Sequence, residues 1–206
     1  MTPPAKASAH LLMATGTTAL AGSLALILGN IIGGIVVPGH DWVADTVSDL
    51  AAGPYEIIQD FALYGYAAAL MACAIGAAHH HTDGTRWNIG ILCLALLAAI
   101  VVVIGARNEY GDSDRDGIVI HSYLVYALGF LFAVLFVVMA RGMALIGNGY
   151  AKVTRLCAVL WILGAPVFFI LPTEYDGAYE RGLGVITLLW VTTFASMMIS
   201  VARRIG

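Results

Sequence analysis

A histidine that follows a run of charge marks the first place where this chain's side chains can do chemistry. The stretch RNEYGDSDRDGIVIHSY, residues 107–123, puts four acids, two arginines and His121 into a chain of which only 11% is charged. An imidazole titrates near neutrality, so His121 can act as general base, as metal ligand or simply as a hydrogen-bond donor. Asp60 and Glu180 are the carboxylates suited to orient it, which gives a candidate catalytic set of His121, Asp60 and Glu180. Arg107 and Arg181 each stand where an apolar run meets charge, and a guanidinium there can hold an anionic group through its planar fork of donors. Ser48, Asp49, Asn30 and Glu109 complete a candidate ligand-binding set with those two arginines. Within the same stretch, DSDRDG places Asp112, Asp114 and Asp116 at alternate positions before a glycine, the opening of an oxygen-lined calcium loop. The twelfth position of that loop is Tyr123 instead of a bidentate glutamate, so the three aspartates make at most a weak Ca²⁺ candidate.

The elements that must position these residues are membrane spans. Of 206 residues, 60% are apolar and mean hydropathy is +0.87, too little polar surface to coat a water-soluble globule. Apolar runs predict six helical spans at about 11–37, 55–80, 87–106, 118–140, 152–171 and 182–203. The expected fold is therefore all-α, one six-helix membrane bundle over residues 1–206, with no room for a separate soluble domain. No basic, aromatic-interleaved patch suggests nucleic acid. Cys73, Cys93 and Cys157 stand singly in apolar runs and read as small core residues.

Charge divides between the two sets of loops. Lys6, Arg86, Arg141, Lys152, Arg155, Arg203 and Arg204, seven of the ten basic residues, fall at the termini and in the second and fourth loops. Of thirteen acids, twelve lie in or beside the first, third and fifth loops, with Asp83 the exception. By the positive-inside rule, both termini are expected in the cytoplasm, and the acidic loops form an outer cap on a multi-pass protein of the cell membrane.

In the first of those loops Asp41, Asp45 and Asp49 recur at i, i+4 and i+8, opposite Val43, Val47 and Leu50. That spacing predicts a short amphipathic helix on the interface, its acidic stripe bordered by Ser48. Asp60 follows, beside an unbroken apolar run, where a carboxylate is costly unless it faces a partner or a polar cavity. Asn30 lies in GNIIGG, whose Gly29 and Gly33 make a small-residue face. Close helix packing with the amide as interhelical glue is the plain reading; if the face points inward, Asn30 floors a cavity instead. The triplet His79–His81 reads as a helix end, since adjacent residues point in different directions. No lysine lies within a span, and no P-loop, G-x-S-x-G or H-E-x-x-H occurs.

VSDLAAGPYEIIQDFALYGYA after the first span, DGIVIHSYLVYALGF opening the fourth and GAYERGLGVITLLWV opening the sixth resemble the bacterial six-helix membrane family DUF998. That resemblance covers residues 45 to the C-terminus and implies that Ser48, His121, Glu180 and Arg181 are the pattern's polar positions; it implies no activity. A more remote similarity is to membrane hydrolases of the alkaline ceramidase and adiponectin receptor type, which hold zinc with three histidines. Here only His40 and His121 lie on the outer side, so a Zn²⁺ site would need an aspartate as its third protein ligand.

Polar groups converging on one cap predict a cavity between helices, open outward or to the outer leaflet. Binding of a membrane lipid or amphiphilic small molecule, by a sensor or scaffold without chemistry, is the favoured function because no unambiguous nucleophile stands out. The alternative is a hydrolase-like enzyme acting on a lipid at the outer leaflet, with His121 as base or metal ligand. Transport comes third, as only Pro166 interrupts a span. A second copy of the chain is a further expected partner.

Overall fold

Ser8 caps the first helix, its hydroxyl accepting the Leu11 N–H at 3.4 Å. The structure is a computed structural model that describes residues 8–82, 84–106 and 120–206. Helix α1 runs Ala9–Val36, α2 Glu56–His79, α3 Gly84–Ala106, α4 Ile120–Ile146, α5 Asn148–Gly164 and α6 Asp176–Ile205. All six elements are long and apolar enough to cross a membrane when α5 is counted with the 3-10 helix Ala165–Phe169 that continues it. No strand occurs among the described residues. Pro166 explains the change of helix type: it lacks an N–H, and its ring would press on the carbonyl four residues back.

Each helix packs on its neighbours in the chain, and α6 returns to α1, so the six close a ring. Small residues set the tightest seam, between α1 and α2. A Cβ on Gly22 would overlap the Gly65 carbonyl, and one on Gly29 would overlap Ala62. Gly29 thus has the packing role expected of it, whereas Gly33 rests on Leu50 of the first loop. Outward faces are apolar, with Phe61 71% and Ile170 81% exposed, as lipid contact requires. Serine and threonine hydroxyls buried within the spans bond back along their own helices: Ser23 Oγ donates to Ala19 O at 2.8 Å and Thr154 Oγ1 to Tyr150 O at 2.9 Å.

Both described termini lie at one end. The Ser8 N–H reaches His79 Nε2 at 2.5 Å, and Gly206 abuts Ala9. The histidine triplet is indeed a helix end, with His80 as the α2 C-cap. In the half of the ring next to this end the interior is filled. Trp87 is fully buried and donates its indole N–H to Ala77 O at 2.8 Å. Phe194 lies 6.0 Å from the Trp87 ring and stacks on Trp190 at 5.2 Å; Phe136, Met139 and Met198 close the remaining space. The opposite, far half is built differently.

Candidate functional site

The far half is covered by the first loop, and its aspartates shape that cover. Gly39, at φ +77°, turns the chain after Pro38. Asp41 Oδ1 accepts the Val43 and Ala44 N–H groups at 2.8 and 3.3 Å, while the Asp41 N–H donates to Asp45 Oδ2 at 2.8 Å. Those backbone donors hold the Asp41 carboxyl below the ordinary carboxylate value. Asp49 Oδ2 accepts from both the N–H and the hydroxyl of Thr46, at 2.7 and 2.8 Å. The i, i+4, i+8 carboxylates therefore bond within the loop, and only Asp49–Ala51 is helical, as one turn of 3-10 helix. A short polar side chain competes with the helix for its own backbone N–H groups, which shortens the helix that the spacing predicts.

The first turn of α6 fastens this loop down. Gly177 and Ala178 donate their N–H groups to Ala44 O and Val43 O at 3.2 and 3.0 Å, so helix-end donors without intrahelical partners are satisfied by the loop. Glu180 Oε2 accepts the Val47 N–H at 2.7 Å. Arg181 Nη1 donates to Asp45 O at 2.8 Å and Trp42 O at 3.2 Å, and its guanidinium carbon lies 5.1 Å from the Trp42 ring centre. Arg181 Nη2 meets His40 Nε2 at 2.8 Å. A guanidinium only donates, so Nε2 is the acceptor and the His40 proton sits on Nδ1, 3.5 Å from Asp45 Oδ2. Trp42 in turn lies flat over Gly34 of α1, where a Cβ would overlap its ring. The loop is thus a cap tied to α6 and seated on α1.

Beneath it lies a cavity of about 560 Å³, inside the range of roughly 300–1,000 Å³ that encloses one small molecule. All six helices contribute to its wall. Asn30, Ser48, His121, Glu180 and Arg181, five of the residues singled out by sequence, line it together. Ser48 Oγ stands 3.4 Å from His121 Nε2. Deeper in the ring the wall is apolar, with Leu26, Leu63, Val101, Phe132 and Trp161. Two buried polar atoms of residues in the lining, Asn30 Oδ1 and Arg181 Nε, have no hydrogen-bond partner among the described residues, and the buried Tyr66 hydroxyl lies beside Thr187.

Two glycines explain how the space stays open. A Cβ on Gly129 of α4 or Gly184 of α6 would meet nothing within 4 Å, and both residues line the cavity. A helix interior pays about 1 kcal/mol for glycine over alanine. At these two positions no close helix approach offsets that cost, and what their missing side chains leave is volume. On one side the wall is a single aromatic layer. Tyr126 of α4 and Phe169, 4.8 Å apart, both line the cavity, and each is about half exposed.

A family model described as a protein of unknown function, DUF998, matches residues 20–197. The chain belongs to the DUF998 family. No curated protein and no solved structure matches it. In this DUF998 member, the match spans every described polar residue of the cap and cavity.

Not all expected residues converge. Asp49 is spent within the loop, and Asp60 lies in the first turns of α2, outside the cavity lining, with a buried Oδ1 that has no partner. Arg107, Glu109 and the calcium candidates Asp112, Asp114 and Asp116 lie outside the described residues. Among the described residues, no three His, Cys, Asp or Glu side chains gather as a metal site, and His40, weighed for zinc, is turned to Arg181 and Asp45. Neither Tyr66 nor Trp42 is among the candidate residues read from the sequence. Their functional position depends on tertiary contacts that no local pattern encodes.

Proposed function

We propose that this DUF998 protein binds a membrane amphiphile, with the polar head under the cap and the apolar chain between the helices. The observation that carries this is the cavity's uneven chemistry: Asn30, Ser48, His121, Glu180 and Arg181 line a space whose remaining wall is largely hydrocarbon and aromatic. Those side chains offer donors and acceptors to a polar head group at one end of the space, and the apolar wall suits its chain. The thin Tyr126–Phe169 wall is the proposed entry from the bilayer.

Charge supports the orientation. Among the described residues the terminal end carries Arg86, Arg141, Lys152, Arg155, Arg203 and Arg204, and the capped end carries all the acids. The positive-inside rule then puts the termini in the cytoplasm and the cap at the outer face of the cell membrane. The test is native mass spectrometry of the full chain released from nanodiscs. The expected result is a single-amphiphile adduct that survives mild activation in the wild type and disappears in Gly129→Leu. Equal adducts on both proteins, or none on the wild type, would refute the reading.

A further inference from the structure

We infer that Ser48 and His121 form a nucleophile–base pair that cleaves a carboxylic ester of the amphiphile held in the cavity. The inference rests on the amphiphile-binding reading and adds a reaction to it.

The geometry sets a hydroxyl beside an imidazole. Ser48 Oγ and His121 Nε2 are 3.4 Å apart, slightly beyond the hydrogen-bond reach seen in closed nucleophile–base pairs and within the looser range of ligand-free sites. Both side chains line the cavity, at the level where its polar cap gives way to apolar wall. An ester joining a head group to a long chain puts its carbonyl at that boundary. The two residues are 73 positions apart in the chain, brought together by the cap from one side and α4 from the other.

Ser48 is also held in place. The Val47 N–H is fixed by Glu180 and the following turn by Asp49–Thr46, while the Ser48 carbonyl accepts the Ala51 N–H at 3.0 Å. Its hydroxyl makes no cap bond to the 3-10 turn that follows, which leaves it for the histidine. Glu180 therefore acts as a positioning residue for the nucleophile.

The reaction balances with water as the only co-reactant. Ser48 Oγ attacks the carbonyl carbon as its proton passes to His121 Nε2, and the carbonyl π electrons move to oxygen. Collapse breaks the bond to the alcohol oxygen, which takes the proton from His121 Nε2. Water then attacks the acyl-serine by the same route, releasing the carboxylic acid and restoring the Ser48 hydroxyl.

The test treats the full chain in nanodiscs with a long-chain alkyl fluorophosphonate and reads intact mass and peptide mapping. Ser48 is expected to carry the adduct. Ser48→Ala should abolish it, and His121→Gln should slow labelling by about 10²–10⁴-fold, with both variants melting near the wild-type temperature. In parallel, binding of an unreactive long-chain ether is measured on wild type and Ser48→Ala. Ether binding without a Ser48 adduct on folded protein, or equal labelling rates in wild type and His121→Gln, would overturn the catalytic inference and leave the binding reading standing. Loss of ether binding with Ser48 still labelled by a short-chain fluorophosphonate would instead remove the binding reading alone.

Discussion

The half of the ring beside the termini is filled with tryptophan, phenylalanine and methionine, whereas the far half encloses about 560 Å³ beneath a polar cap. Glycine shows the difference most directly. Gly22 and Gly142 sit where any side chain would strike a neighbour, the Gly65 carbonyl in one case and the Trp87 ring in the other. Gly129 and Gly184 sit where a side chain would strike nothing. Glycine brings surfaces together in both halves, at Gly29 and Gly34 as well as Gly22 and Gly142, and leaves open space beside the cavity at Gly129 and Gly184. One half is optimised for packing, and the other gives up packing to keep a space that polar groups overlook.

Substitutions should therefore behave differently on the two sides. The largest effect belongs to the packed half: Trp87→Ala removes a fully buried ring and leaves the Ala77 carbonyl without its donor. It should cost about 3–5 kcal/mol, read as a loss of folded protein in detergent melts, with no selective effect on ligand binding. Next comes the fastening of the cap. Arg181→Ala deletes the bonds to Asp45, Trp42 and His40 and should destabilise by about 1.5–3 kcal/mol while abolishing amphiphile binding. Arg181→Lys should restore little, because one ammonium cannot reproduce the planar fork. Thermal melts and binding isotherms of the same preparations would separate the two effects.

A smaller contrast sharpens the role of Glu180. Glu180→Ala leaves the Val47 N–H unpaired and should cost about 1–3 kcal/mol, whereas Glu180→Gln keeps an acceptor and should cost less. Hydrogen exchange at the Val47 amide checks this: fast in the alanine variant, slow in the glutamine one. The smallest effect concerns Asp41. Its folded carboxyl lies below the usual value of 3.8, so its contribution is fully present above that pH and fades as pH falls through the lowered value. An NMR titration should show the Val43 and Ala44 amides moving together in acid, and Asp41→Asn should remove the transition.

The spans were legible because a bilayer imposes length and hydropathy on every crossing helix, and the segregation of charge followed from the same constraint. Ser48, His121, Glu180 and Arg181 were legible as polar residues crowded at span ends. Their arrangement was not. Asp41, Asp45 and Asp49 have helical spacing, yet bond to backbone N–H groups of their own loop, a local competition that periodicity does not register. Asn30 was open to two readings because Gly29 does make a packing face while Asn30, one residue on, lines the cavity. The Ser48–His121 pair joins two segments that only ring closure brings together. Nothing in the chain distinguishes a glycine that admits a neighbour from one that admits a ligand.

The central claim is that the far half is a built binding space, and one titration tests it most directly: a long-chain ether added to wild type and Gly184→Leu in nanodiscs, with melting temperature as the readout. The claim predicts that the leucine variant folds with unchanged or higher stability, because its side chain fills open space, and that the ether raises the melting temperature of the wild type only. Equal ether stabilisation of both proteins, or a leucine variant that fails to fold, would contradict it.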